Sequence, residues 1–443
     1  MTAAQDYSAT RQTTARAGLS VPVVGAIVGR LSAQAESFLI MKRRLLPVLP
    51  VLISACLLLM LSFGYRAGFG LFMQPMSQAN GWGRDVFSMA LAIQNLAWGV
   101  IAVLAGGLAD RYGNLKVLLA GVACYAAGMA GMAYAASTGA IIATAGLLVG
   151  AGVAGTAFGI VLPALARAVP EERRSWALGL GTAAGSFGQF LVVPLMQTLV
   201  DAVGWFQALQ WLSLSALAMA VLAIPLAPYG GASDTSSPAI DASLWQILRR
   251  AFGVRSYTLL VLGFFVCGFH VAFITVHMPG YVVDLGFDAK VGAWSISLIG
   301  LCNVIGAYVA GVQSGRLPKQ RILAFIYLGR VVAITAFLLA PVSLVSILVF
   351  SAVMGFLWLA TVPPTSGLVA VFFGTRYMTF LYGVVFLSHQ IGSFSGVWLG
   401  GFLYETFGHY DGIWIAGIIL GLVAAVLHWP IREQDASGQL RAA

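Results

Sequence analysis

Apolar segments of about 20 residues recur along the whole chain, and they constrain its fold more than any other feature. An α-helix needs about 20 mainly apolar residues to cross the hydrocarbon layer of a membrane, so each segment is long enough to span it. The composition agrees, because 60% of the 443 residues are hydrophobic and only 9% are charged, against roughly 25% charged in a soluble domain. The sequence therefore predicts an all-α membrane protein.

Turn signals divide the apolar sequence into twelve predicted transmembrane helices, six on each side of a polar stretch. The first six are expected over residues 46–72, 86–108, 116–136, 140–166, 175–200 and 205–227. The last six are expected over residues 256–281, 290–312, 321–340, 343–371, 378–402 and 411–429. The predicted domains are a tail (1–44), a six-helix bundle (45–227), a linker (228–255), a second six-helix bundle (256–429) and a short tail (430–443).

The basic residues lie almost entirely on one side of this plan. The connections on the side of both termini contain most of the Lys and Arg residues, while the opposite connections contain only Arg84 and Lys290. By the positive-inside rule, the basic side is cytoplasmic, and the opposite ends carry acidic residues instead. We therefore expect a multi-pass protein of the plasma (inner) membrane with both termini in the cytoplasm. The net charge of +9 reflects this topology rather than a nucleic-acid partner.

The first 40 residues do not fit the helical plan, because their one apolar run, near Leu19–Val28, is too short to span a membrane. Met41 directly precedes a basic cluster, Lys42–Arg44, and the first predicted helix. We hypothesise that translation begins at Met41. The four cysteines, Cys56, Cys124, Cys267 and Cys302, all fall in apolar segments without metal-ligand spacing, so we expect no disulfide, metal site or cofactor.

The strongest local motif lies between the second and third predicted helices. Its residues are Gly106, Gly107, Asp110, Arg111, Gly113 and Lys116. This motif resembles the signature loop of the major facilitator superfamily. The resemblance implies two pseudo-symmetric six-helix bundles that alternate between open states, with this cytoplasmic connection as a gating loop. The corresponding stretch of the second half, residues 311–321, is a degenerate copy of the motif that lacks the aspartate.

Arg66 is an ionisable residue inside the first predicted helix. Because a charge inside the membrane is costly, Arg66 is a candidate functional residue. The stretch from Leu61 to Pro75, followed by Gly81 and Trp82, resembles the first helices of the monocarboxylate and oxalate:formate transporters within the superfamily. The resemblance implies that Arg66 faces a central cavity and binds a carboxylate. The alternative is an arginine whose side chain extends to the lipid headgroups.

The resemblance fails on the eighth predicted helix. Proton-coupled members of that group carry an aspartate and an arginine there, whereas this chain has Asn303 and Ala307. Coupling would then depend on histidines inside the helices, because imidazole titrates near neutral pH. His270 and His389 are the leading coupling candidates, and His277 is a weaker one. Gln94, Asn303 and His389 are predicted to line the substrate path together with Arg66.

No enzymatic constellation is evident, since paired carboxylates, phosphate-binding loops and nucleophile sets are missing from the sequence. The leading hypothesis is a secondary active transporter of a small organic anion, a monocarboxylate, with protons as a coupling candidate and the lipid bilayer as its surroundings. A major facilitator exporter of drugs or metabolites is the main alternative, and a polytopic channel or receptor is a remote one. We expect a monomer.

Overall fold

The structure is a computed structural model that describes residues 48–170, 174–229, 244–373 and 378–435. Contacts divide the chain into two units, residues 1–50 and 51–443. Of the first unit only Val48, Leu49 and Pro50 are described, and every contact given below lies within the second. The predicted N-terminal tail, the proposed start at Met41, most of the linker and the end of the C-terminal tail lie outside the described residues.

The first half of the chain forms spans 1–6. Span 1 is Leu49–Gly68, extended by a 3₁₀ turn, Phe69–Phe72, and by Met73–Asn80. Spans 2 and 3 are Arg84–Tyr112 and Asn114–Ala133. Span 4 consists of Thr138–Ile141, a π-helix Ile142–Leu148, Val149–Thr156 and Phe158–Ala168. Spans 5 and 6 are Arg174–Ala216, divided at Gly204, with Ala218–Ala223 and a 3₁₀ turn, Ile224–Tyr229.

The second half forms spans 7–12, preceded by a short amphipathic helix, Leu244–Gly253, in the linker. Spans 7, 8 and 9 are Arg255–Asp284, Ala289–Ser314 and Lys319–Leu339. Span 10 consists of Leu344–Leu357 and Val362–Phe373, and spans 11 and 12 are Met378–Phe407 and Asp411–His428.

Ten described segments are long and apolar enough to cross a membrane. The longest, Ala177–Tyr229, contains Gly204 at φ +78°, which divides it into two helices, spans 5 and 6. Span 11, with 30 residues, is also long enough to cross. The described ranges thus contain twelve helical crossings and no strand. The predicted all-α membrane fold of twelve helices is confirmed.

Spans 4 and 10, which hold the same place in their two halves, are both interrupted. Span 4 breaks at Ala157, whose ψ of −167° is extended, and span 10 breaks between Leu357 and Val362. The fully buried Arg330 of span 9 donates from Nε and Nη2 to the Leu357 carbonyl, at 3.2 and 2.9 Å, and from Nη2 to that of Trp358. These carbonyls have lost their helical donors, so the guanidinium satisfies backbone groups that the break exposes.

Glycines bring spans 7 and 11 into direct backbone contact. A Cβ atom added at Gly268 would lie 1.8 Å from the carbonyl oxygen of His389, and one added at Gly392 would lie 1.9 Å from that of Phe265. Real Cβ atoms do not approach so closely, so larger residues would separate the two helices. Span 11 also packs closely against span 2 of the first half, where a Cβ atom added at Gly99 would lie 2.9 Å from the Gln390 side chain.

Candidate functional site

Span 2 holds the guanidinium of Arg66. Arg66 Nη2 donates to Asn95 Oδ1 at 2.7 Å, and its Cζ lies 4.8 Å from the centre of the Trp98 ring. The Asn95 amide is itself oriented, because Nδ2 donates to the Leu91 carbonyl one turn earlier at 2.8 Å. Asn95 lies eleven residues into span 2, which is about 16 Å from its first residue. The guanidinium therefore lies well inside the helical layer.

Arg66 retains unused hydrogen-bonding capacity. Its one hydrogen bond to the described residues is to Asn95, and none of their carboxylates forms a salt bridge with it. The Arg66 side chain is partly exposed. A cation inside a membrane protein is normally paired or turned towards a water-filled cavity. One hydrogen of Nη2 is used by Asn95, and its second hydrogen can act together with that of Nε or Nη1 as a pair of parallel donors to an anion.

A chain of polar contacts continues from this point into the second half. Gln390 on span 11 donates from Nε2 to the Asn95 carbonyl at 3.1 Å. His389 donates from Nδ1 to Gln390 Oε1 at 3.0 Å. The imidazole is buried between the rings of Phe264 and Phe386, with centroids 5.1 and 5.7 Å away. His389 is thus linked to the partner of Arg66 through one glutamine.

Asn303 joins three spans rather than lying beside Arg66. Its Nδ2 donates to Ser186 Oγ on span 5 at 3.0 Å, and its Oδ1 accepts the backbone N–H of Leu359 at 3.0 Å. Leu359 lies in the break of span 10. The amide therefore uses both its donor and its acceptor to connect the two halves with the interrupted helix.

Two other predicted residues face away from this region. Gln94 donates to the Ala145 carbonyl on span 4 at 2.8 Å, within the first half. His270 donates from Nε2 to the Gly417 carbonyl on span 12 at 2.7 Å, within the second half. Asn95, next to Gln94 in sequence, takes the place beside Arg66 that was predicted for Gln94.

The signature motif lies at the junction of spans 2 and 3, and most of it belongs to the end of the span 2 helix. Span 2 continues to Tyr112, and Gly113 alone separates it from span 3. Gly113 has φ +89° and donates its N–H to the Ala109 carbonyl, and this backbone conformation favours glycine. Gly107, Asp110 and Arg111 lie in the last turns of the helix, and their side chains are outside the described part. Lys116 is exposed on the first turn of span 3.

Arg84 forms a cluster at the opposite end of span 2 that was not anticipated as a site. Its Nη1 and Nη2 donate to the two carboxylate oxygens of Asp284 on span 7, each at 2.6 Å. Nη1 also donates to the Tyr410 hydroxyl at 3.1 Å, and the guanidinium covers the Tyr404 ring at 3.9 Å. The backbone N–H of Arg84 donates to Glu405 at 2.6 Å. We call these five residues the Arg84 cluster, and it connects the first half with spans 7 and 11.

The second basic residue at this end of the bundle also pairs across the halves. Lys290, at the start of span 8, lies 3.7 Å from Asp201 of span 5, but their side chains are 65% and 39% exposed. The basic member of each pair stood out in the sequence, because Arg84 and Lys290 were the only basic residues predicted on this side. We refer to the two ends of the bundle as the Arg84 end and the Gly113 end.

The chain belongs to the Major Facilitator Superfamily, whose family model matches residues 55–397. The members are transporters, which excludes an enzyme, and the chain is a multi-pass membrane transporter of a small molecule.

Among its relatives is monocarboxylate transporter 13 of Bos taurus, 25% identical over 370 residues that cover 80% of this chain and 82% of the relative. Monocarboxylate transporter 11 of Mus musculus is 27% identical over 59% of this chain and 57% of the relative. The fold is similar to that of a D-xylose–proton symporter, with a TM-score of 0.67 at 17% identity, over 87% of this chain and 98% of that one.

Proposed function

We propose that this transporter moves a monocarboxylate across the plasma membrane by alternating access, and that Arg66 binds the carboxylate. The proposal rests on the surroundings of the Arg66 guanidinium. It is held inside the bundle by Asn95 and Trp98, its side chain is partly exposed, and none of the described carboxylates forms a salt bridge with it. A carboxylate accepts two parallel hydrogen bonds from a guanidinium, which fixes both its position and its orientation.

The proposed transport cycle opens the two ends in turn. Contacts between the halves occur from the Arg84 end down to the level of Gly99, whose added Cβ would lie 2.9 Å from the Gln390 side chain. With the Gly113 end assigned to the cytoplasm by the charge rule, we propose that the described conformation is closed at the extracytoplasmic end. The Arg84 cluster then closes the extracytoplasmic end.

Proton coupling, in this proposal, depends on His389. Asn303 occupies the place of the aspartate of the resembling transporters, and an amide does not titrate. His270 donates to a backbone carbonyl deep in the second half. His389 is the coupling candidate connected to the Arg66 region, through Gln390 and Asn95. A carboxylate on Arg66 and a proton on His389 would be bound by one continuous polar chain.

The test is uptake of labelled formate, lactate, pyruvate and oxalate into proteoliposomes, with and without an inward proton gradient. Arg66→Ala removes two charge-assisted hydrogen bonds of about 1.5–3 kcal/mol each, so we expect carboxylate uptake to fall roughly 100-fold or more. Arg66→Lys keeps the charge but not the paired donors, and should retain intermediate activity. Arg316→Ala removes an exposed cation between spans 8 and 9 and serves as the matched control.

Gradient dependence that disappears in His389→Gln, with exchange activity retained, would support coupling at this imidazole. Full activity of folded Arg66→Ala would contradict the binding role of Arg66. If no carboxylate is transported by the wild type, the exporter hypothesis takes first place.

A further inference from the structure

Four aromatic rings form a continuous layer beside Arg66, and we call them the aromatic layer: Phe63, Trp98, Phe158 and Phe386. Phe63 and Phe158 are stacked with centroids 4.3 Å apart. Trp98 meets Phe63 edge-on at 5.9 Å and Phe386 edge-on at 5.3 Å. The first three rings come from spans 1, 2 and 4, and Phe386 comes from span 11. The layer therefore crosses from one half of the transporter to the other.

Helices of the first half surround part of the aromatic layer. A Cβ atom added at Gly185 on span 5 would lie 3.4 Å from both Phe63 and Phe158, so that pair is enclosed by several spans of the first half. All three phenylalanines nevertheless remain partly accessible. Trp98 is buried against Arg66 and connects the layer to the guanidinium.

The polar and aromatic residues alternate in the same way on three helices. Arg66 follows Phe63 by three residues on span 1, Trp98 follows Asn95 by three on span 2, and Gln390 follows Phe386 by four on span 11. Residues three or four apart share a helix face about one turn apart. Because spans 1 and 11 run opposite to span 2, the aromatic member of each pair lies about 5 Å nearer the Gly113 end. The site thus has a polar layer and, one turn away, an aromatic layer.

From this arrangement we infer that the substrate is an aryl-substituted monocarboxylate, an inference that rests on the proposed role of Arg66. The carboxylate binds to the polar layer, and an aromatic ring one to three carbons away reaches the aromatic layer about one helical turn below. Offset and edge-on contacts with the four rings stabilise a planar aromatic group. Formate or oxalate would occupy the polar layer and leave the aromatic layer uncovered.

The break in span 4 contributes directly to this layer. The helix Val149–Thr156 ends, Ala157 is extended, and a new helix begins at Phe158. A hydrogen bond of 2.9 Å between the hydroxyls of Thr156 and Ser62 ties the break to span 1. Interrupted helices at corresponding positions of two repeats commonly border a substrate site. The interruption presents Phe158 to Phe63, on the same face of span 1 as Arg66.

The experiment compares labelled pyruvate with phenylpyruvate and 3-phenylpropanoate in the same proteoliposomes. We expect kcat/KM for the two aryl carboxylates to exceed that for pyruvate by roughly tenfold or more. Phe386→Ala should lower kcat/KM for the aryl carboxylates roughly 3- to 10-fold more than kcat/KM for pyruvate, the range of one aromatic contact. Phe386→Leu, which keeps apolar volume, covers the case in which the alanine variant folds poorly.

Trp398→Ala is the matched control, because Trp398 is also on span 11 but stacks on Phe394 and Phe402 away from the layer. Equal or faster transport of pyruvate, with no selective loss in either Phe386 variant, would overturn this inference and leave the role of Arg66 standing. Absence of flux for every carboxylate would overturn both. Selective loss in Trp398→Ala as large as in Phe386→Ala would also overturn it, since the effect would not belong to the layer.

Discussion

We predict that the Arg84 cluster holds its end of the transporter closed, whatever the substrate is. The Arg84–Asp284 pair joins the two halves and must separate whenever the Arg84 end opens. Replacing Arg84 with Gln, or Asp284 with Asn, should therefore shift the equilibrium towards the state that is open at this end. The double variant should shift it little further than either single variant, because both substitutions remove the same contact.

The magnitude follows from the geometry of the pair. Both oxygens of Asp284 accept hydrogen bonds of 2.6 Å, and the two side chains are 11% and 27% exposed. Charge-assisted hydrogen bonds contribute about 1.5–3 kcal/mol, and removing one partner of a fully buried ion pair costs about 3–5 kcal/mol. For this partly exposed pair we expect a coupling energy of about 2–3 kcal/mol. That energy corresponds to a change of roughly 30- to 140-fold in the equilibrium constant.

The assay measures access to Ser88, which is fully buried one turn below Arg84. A Ser88→Cys reporter is placed in a background lacking the four native cysteines, and a membrane-impermeant thiol reagent is added at the Arg84 end. Arg84→Gln should accelerate labelling by the same factor as the change in equilibrium.

Lys290→Gln is the control, because its pair with Asp201 is 3.7 Å long and largely exposed. An exposed pair contributes a few tenths of a kcal/mol, so labelling should rise less than about threefold. Unchanged labelling in both Arg84→Gln and Asp284→Asn would show that the cluster does not hold this end closed. An equal effect of Lys290→Gln would show that the geometry of the pair does not decide the strength of closure.

Three further substitutions test the surrounding structure. Gly268→Ala should lower the midpoint of thermal unfolding in detergent, because the new Cβ would lie 1.8 Å from a backbone oxygen of span 11. Gly159→Ala is the control and should leave the midpoint unchanged, because no atom lies within 4 Å of its new Cβ. Equal midpoints for the two variants would contradict the close packing of spans 7 and 11. Arg330→Met should destabilise the protein by about 1–3 kcal/mol, because it leaves the two carbonyls at the break of span 10 without donors, and unchanged resistance to thermal unfolding would refute this. Asn303→Asp places a titratable carboxylate at the junction of spans 5, 8 and 10, so the pH profile of uptake should shift from that of the wild type. A profile identical to wild type would show that a charge at this junction does not affect transport.

Many features followed from local sequence because membrane helices obey local rules. The hydrocarbon layer requires about 20 apolar residues per crossing and leaves no water to satisfy a broken backbone, so the twelve helices could be located by length and hydropathy alone. Arg66 could be selected because an isolated charge in such a segment is costly. Gly113 could be assigned to the connection between two predicted helices, because glycine permits a tight reversal of the chain.

Local sequence could not decide which face of each helix meets which neighbour. Gln94 and Asn95 differ by 100° around the axis of span 2, and long-range packing turns Asn95 towards Arg66 and Gln94 towards span 4. The partners Arg84 and Asp284 are 200 residues apart, so their pairing depends on how the two halves meet. The break of span 10 likewise depends on Arg330 from another helix. Apolar length sets the helices, whereas contacts between distant segments set the helix rotations, the cross-half ion pairs and the layered site.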